Sequence, residues 1–198
     1  QHIEDTLDSR VKENYTFETF IEGESNKCLR SVGMAIANSA NGQIAFNPLF
    51  IYGNSGVGKT HLMHAIGARY KRNHPNKRVL AVSAHEFKMQ YTNAVRNEKN
   101  NVSTGTINDF ILFYQTIDLL LIDDVQELAG NKGTLNALFN IFQHLKMNNK
   151  LIVFTCDRPP ATLSGIEDRL ISRFAWGLTE ELGQPNQELR RRILESKV

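Results

Sequence analysis

Read for the spacing of its apolar side chains, the chain alternates short unbroken apolar runs with longer segments of helical period. Residues 49–52, 78–82, 118–122 and 151–155 are such runs, continuous as the inner strands of a parallel sheet are. Between them, 61–72 carries Leu62, Ala65 and Ile66 on one face, and 107–115 carries Phe110, Ile111 and Tyr114. After residue 82, Ser83 and Glu86 form an expected capping box for a helix whose inner face is Phe87, Tyr91, Ala94 and Val95. The stretch 134–146 is the clearest amphipathic helix, and its stripe of Leu135, Leu138, Phe139, Phe142 and Leu145 is that of ordinary core packing. Upstream, Ser25 is expected to cap a helix reaching Asn38, with Leu29, Val32, Met34 and Ile36 inward, and Asn41-Gly42 marks a turn. Downstream, 97–105 reads as a loop, 165–172 as a short helix and 174–178 as a fifth strand. Pro185 suits the first turn of a last helix. Strands alternating with helices predict an α/β fold: a five-stranded parallel sheet with right-handed crossovers and helices on both faces.

Residues 1–14 are charged and weakly patterned, and read as a linker or loosely held arm. The patterned core runs over 15–182, and 183–198 begins a further helical segment. With 198 residues and 41% hydrophobic content the chain can bury one good core. No apolar run approaches the roughly 20 residues that span a bilayer. Two cysteines, Cys28 and Cys156, are too few for a disulfide framework, which fits the reducing cytoplasm. A net charge of +2 permits nucleic-acid contact without demanding it.

One stretch changes the picture. Gly53-Asn54-Ser55-Gly56-Val57-Gly58-Lys59-Thr60 follows the first strand and opens the next helix. A polyphosphate needs many donors converging on a small volume, and main-chain N–H groups supply them only where side chains stand aside. Lys59 then offers a point charge to the outer phosphates, and Thr60 a hydroxyl to Mg²⁺. The helix N-terminus adds its partial positive charge. About sixty residues on, the third strand ends in Asp123-Asp124. The first carboxylate is placed to hold Mg²⁺, and the second to orient or deprotonate the attacking water. Asp157 ends the fourth strand, where it either touches the γ-phosphate or water, or merely caps the turn at Pro159-Pro160. Arg169 and Arg173 lie four apart on one helix face. They read either as members of surface ion pairs or, for Arg173, as a cation set against a neighbouring subunit's γ-phosphate.

With these residues in view, the chain from about residue 15 onward resembles the AAA+ ATPase domain of the DnaA family of bacterial chromosomal replication initiators, a branch of the P-loop NTPases. Five segments carry the resemblance: 15–23, 47–53, 59–62, 120–126 and 168–178. The last, with Arg169, Arg173 and Trp176, is the most specific. The resemblance implies that 53–60 and His61 bind ATP or ADP, that Thr60 and Asp123 hold Mg²⁺, and that Asp124 completes the Walker B pair. It further implies Asp157 as sensor I, Arg173 as the arginine finger, and an adenine pocket around Phe20 and Ile21. Residues 83–96 and 107–115 stand where initiators carry an extra helical insertion. The implied function is ATP-switched, head-to-tail self-assembly on replication-origin DNA with slow hydrolysis, in contact with the replicative helicase or its loader. A helicase-loader or Hda-like regulatory relative is the alternative; a small-molecule kinase or a nucleotide-independent module fits the paired acids and arginines less well.

The stretch after the Walker B strand carries one cation, Lys132, where initiators line a channel for single-stranded DNA with several. The following helix has Leu135-Asn136-Ala137-Leu138 in place of the family's acidic and aromatic residues. Residues 183–198 are expected to start the helical lid; its sensor II arginine and a helix-turn-helix domain are not among the 198 residues. The chain therefore reads as a fragment or a shortened relative, with only weak, sequence-independent contact to duplex DNA expected.

Overall fold

The computed structural model describes residues 7–40, 44, 46–183 and 187–197. In chain order the elements are α1 (Lys27–Asn38), β1 (Leu49–Tyr52), α2 (Lys59–Asn73), β2 (Val79–Ser83), α3 (Ala84–Lys99), α4 (Ile107–Gln115) and β3 (Leu119–Asp123). There follow α5 (Lys132–Met147), β4 (Leu151–Cys156), α6 (Asp168–Phe174), β5 (Leu178–Glu181) and α7 (Gln187–Ser196), with 3₁₀ turns at Val125–Leu128 and Pro160–Thr162. The five strands form one parallel sheet in the order β2-β3-β4-β1-β5.

Alternation along the inner strands explains the two-sided core. Leu119 and Leu121 of β3, with Leu49 and Ile51 of β1, face α1 and α2 through Leu29, Ile36, Leu62 and Ile66. Leu120 and Ile122, with Phe50 and Phe154, face α3 to α6 through Phe87, Leu138, Phe142 and Phe174. Most side chains of these strands meet a hydrophobic layer, and the polar positions Asp123 and Thr155 stand at the carboxyl ends. The chain leaves β1 for the far edge at β2 and returns strand by strand to β4, beside β1. The crevice at the carboxyl end of β1 is therefore where a ligand is expected in such a sheet.

Several elements differ from the sequence expectation. Asn26, not Ser25, precedes α1, and its amide folds backward, accepting from the Gly23 N–H and donating to the Ile21 carbonyl, both at 2.8 Å. Only half of the Ser83 capping box forms: Ser83 Oγ accepts from the Glu86 N–H at 3.1 Å, while the Glu86 carboxylate pairs with Arg10. A complete box does exist at Thr106 and Asp109, ahead of α4. The expected strand at 174–178 is instead the end of α6 followed by β5. Phe174 stays helical because its ring packs at 4.8 Å against Phe154 and 5.4 Å against Phe50. Gly177 makes the turn: a Cβ there would sit 2.1 Å from the Pro48 carbonyl oxygen. Gly165 belongs to a turn before α6, with φ +77° and its carbonyl accepting from Gly130 N–H at 2.7 Å. The expected turn at Asn41-Gly42 and the proline at 185 lie outside the described residues.

The arm is better held than its composition suggests. Ser9 is buried, its carbonyl accepts the outward N–H of Ala81 on edge strand β2, and Lys12 N–H donates to His64 Nδ1. Val11 fills the space over Gly67 of α2. Among the described residues, no helix is long and apolar enough to cross a membrane.

Candidate functional site

The phosphate loop links β1 to α2, and its glycines are required for two different reasons. Gly56 and Gly58 take φ of +80° and +102°, which side chains resist. At Gly53 the limit is space: a Cβ would meet the Leu182 carbonyl oxygen at 2.4 Å. Lys59, in the first turn of α2, is buried, and its ammonium donates to the carbonyls of Gly53 at 2.6 Å and Asn54 at 2.8 Å. It is thereby held over the loop, where a phosphate chain would lie.

Strand β3 brings its two carboxylates beside this loop. Thr60 Oγ1 donates to Asp123 Oδ2 at 2.9 Å, and the Thr155 hydroxyl of β4 donates to Asp123 Oδ1. Thr155 Oγ1 also accepts the Asp124 N–H at 2.8 Å. That bond steadies Asp124 in the left-handed region, φ +59°, a conformation that side-chain-bearing residues adopt at a cost. Burial, and next the charge of Asp123, push the Asp124 carboxyl above its ordinary range, as suits a group that takes a proton. Gln126 joins this pair to β4, its amide donating to Asp124 Oδ1 at 3.4 Å and accepting the Asp157 N–H at 3.2 Å.

The Asp157 carboxylate does not cap the turn at Pro159-Pro160. Its carboxylate is gripped twice by the Arg158 guanidinium, at 2.7 and 2.9 Å, and that contact first, with Lys59 a smaller influence, holds it below the usual carboxylate range.

The base end of the crevice is a cavity of about 500 Å³ between residues 14–26, the loop and α7. Phe20, Ile21, Val57, Gly58 and His61 line it, as do Leu189 and Ile193. Its size suits a nucleoside. His61 is held by residues 16–20: its Nε2 donates to the Thr16 carbonyl at 2.9 Å, and Phe20 packs edge-on at 5.4 Å.

The two arginines of α6 have separate fates. Arg169 is spent locally, on Glu167 at 2.8 Å, Asn136 at 2.9 Å and the Phe139 ring. Arg173 is stacked over Trp176 at 3.9 Å, and its buried Nε has no hydrogen-bond partner. Among the described residues no carboxylate pairs with it.

Sequence reasoning overlooked Thr155, Gln126 and His64. Gln126 lay in a noted segment without a role, and nothing in the spacing marks the other two. His64 is buried on α2, and burial pushes its imidazole down against the opposing pull of Asp123. The unfolded chain then binds the extra proton below about pH 6.5, so this contribution to stability is intact above that pH and lost as pH falls. Thermal melts from about pH 7.5 to 5.5 should show the wild type losing more Tm than His64→Gln. Parallel pH profiles for the two proteins would exclude the effect.

A family is shown by comparison with known proteins. Residues 11–181 match the bacterial DnaA ATPase domain. The chain is 54% identical to the chromosomal replication initiator protein DnaA of Bacteroides fragilis over 97% of its own length, which is 39% of that protein. It thus spans about two fifths of the curated relative's length. Among solved structures, domain III of the Thermotoga maritima replication initiation protein DnaA superposes with a TM-score of 0.84 at 37% identity, covering 94% of this chain and 74% of that one. A replication initiator DnaA bound to AMPPCP and single-stranded DNA gives 0.84 at 36% identity, over 95% of this chain and 55% of that one.

Proposed function

The chain belongs to the bacterial DnaA ATPase-domain family, and from that premise we propose that it is the nucleotide-operated switch of a chromosomal replication initiator. The observation that carries this reading is the direct link from Thr60 to Asp123, with Lys59 held over the loop beside it. Thr60 and Asp123 offer hard oxygens that suit Mg²⁺, an ion that keeps its other positions for water and phosphate. Bound Mg²⁺ would supply charge neutralisation on the phosphates. Lys59 and the loop amides bind the phosphate chain, and the cavity around Phe20 and Ile21 takes adenine. Asp124 takes the proton of the attacking water, oriented through Gln126. Asp157, clamped by Arg158, stands at the end of β4 to sense the γ-phosphate once that clamp opens.

Arg173 supports the switch. A guanidinium held over an indole, with no carboxylate of its own, is ready for an anion from outside the subunit. ADP lacks the γ-phosphate, so only ATP would join one copy to the next head-to-tail. Origin DNA, the helicase or its loader, and a cytoplasmic setting are part of this reading. The identity to initiators favours it over a helicase loader. Single-stranded DNA is a proposed partner by likeness to the DNA-bound relative, although Lys132 alone offers a cation just after the Walker B turn. Sedimentation of a chain extended to its relatives' length tests the switch: larger species with Mg²⁺–ATP than with Mg²⁺–ADP support it, and equal sizes overturn it.

The base role of Asp124 has its own test. Asp124→Asn keeps the shape and removes the proton acceptor, so hydrolysis should fall by about 10²-fold or more with ATP affinity nearly unchanged. A variant that turns over at the wild-type rate would remove Asp124 from the reaction.

A further inference from the structure

The base end of the cavity is organised by side chains that phosphate binding does not use. Tyr15 lines the cavity, and its ring centroid lies 4.9 Å from His61 and 5.9 Å from His64. The two histidines are three residues apart in the opening turns of α2, so they project from one face just beyond the phosphate loop. Each also grips the main chain beside Tyr15. His61 Nε2 donates to the Thr16 carbonyl at 2.9 Å, and His64 Nδ1 accepts the Lys12 N–H at 3.1 Å. The Tyr15 hydroxyl has no hydrogen bond among the described residues, so the ring alone makes the contact.

The segment so gripped has little structure of its own. Residues 12–21 contain turns and no helix or strand, yet they supply Phe20 and Ile21 to the cavity wall. Unsupported, such a segment would lose conformational freedom on closing over a ligand, and that loss would be subtracted from affinity. Helix α2, by contrast, begins at the phosphate loop itself, with Gly58 as its N-cap and Lys59 as its first residue.

We propose that Tyr15, His61 and His64 form a clasp that positions the base-binding segment from the phosphate-loop helix, so that nucleoside affinity depends on it and phosphate affinity does not. This rests on the nucleotide reading above. His64 is a positioning residue, acting through Phe20 and Ile21; Tyr15 and His61 act in the same way while also lining the cavity.

The test uses calorimetry with Mg²⁺ and two ligands, ADP and inorganic tripolyphosphate. Tyr15→Ala should bind ADP about tenfold or more weakly while holding tripolyphosphate within about twofold, because the base wall loses a lining ring and its hold on α2 while the phosphate loop is untouched. Tyr15→Phe should restore ADP affinity, since the ring is kept. His64→Ala, altered outside the cavity lining, should shift the ratio of the two affinities in the same direction. Unchanged ADP affinity in Tyr15→Ala overturns the proposal, as does an equal loss of both ligands, which would mean general damage. A wild-type protein that binds tripolyphosphate as tightly as ADP also overturns it. Binding of neither ligand by the wild type would instead remove the nucleotide reading on which it rests.

Discussion

Lys59→Ala should weaken Mg²⁺–ADP and Mg²⁺–ATP binding by roughly two to three orders of magnitude. Hydrogen bonds to a charged group contribute about 1.5–3 kcal/mol each, and a polyphosphate would take over the two that the ammonium now gives to Gly53 and Asn54. Losing one to two such bonds is about 1.5–6 kcal/mol, or roughly one to four orders at about 1.4 kcal/mol per factor of ten, and the expected loss sits in the middle of that span. Lys59 is also buried, at 8% exposure, so solvent screens it little. Truncation frees two loop carbonyls as well, which costs some stability. A melt recorded beside the calorimetry separates that loss from the loss of affinity. An unchanged dissociation constant for a folded Lys59→Ala protein would end the assignment of 53–60 as a phosphate site.

The largest effect on assembly is expected at Arg173. In a chain extended to the length of its relatives, Arg173→Ala should leave ATP affinity nearly intact yet abolish ATP-dependent oligomers in sedimentation. Under conditions in which the wild type assembles, hydrolysis by the variant should be lower by about 10³-fold or more, the usual scale for an arginine supplied in trans. Among the described residues Arg173 lies over the rings of Trp176 at 3.9 Å and Phe139 at 5.7 Å and pairs with no carboxylate, so its removal leaves none of them unpaired. Arg173→Lys should rescue poorly, because an ammonium neither stacks on indole as a planar group nor grips phosphate with two parallel bonds. Arg169→Ala makes the contrast. That arginine is already spent on Glu167 and Asn136, so its loss should act through local packing of α6 on α5. Normal ATP-dependent assembly by Arg173→Ala would make Arg173 a surface residue and move the switch elsewhere.

What could be read from the order of residues was whatever depends on near neighbours. The phosphate loop is a fixed local spacing, and the strand and helix around it follow from the run 49–52 and the period of Leu62, Ala65 and Ile66. The inner strands were legible because burial on both faces leaves them uniformly apolar. The edge strand β5 was not: its Leu178-Thr179-Glu180-Glu181 is partly exposed, and Phe174 looked like a strand residue until packing kept it helical. Spacing placed Arg169 and Arg173 on one face, and the resemblance singled out Arg173; what the fold added is that Arg169 is paired with Glu167 and Asn136 while Arg173 lies over Trp176.

The rest was decided by which strands and segments lie side by side. Thr155 reaches Asp123 and the Asp124 N–H because β4 lies next to β3, about thirty residues away in the chain. Gln126 joins two acids for the same reason. Tyr15 meets His61 and His64 because the arm returns across α2, a path that its charged, weakly patterned sequence does not announce. Spacing along a helix or loop is set by backbone geometry that every chain shares, so the sequence alone determined the fold class, the glycine-rich loop after β1 and the acidic end of β3. Contacts between distant segments are set by how the whole core closes. Tertiary structure therefore decided which hydroxyl steadies Asp124, which arginine has no carboxylate partner among the described residues and what grips residues 12–16.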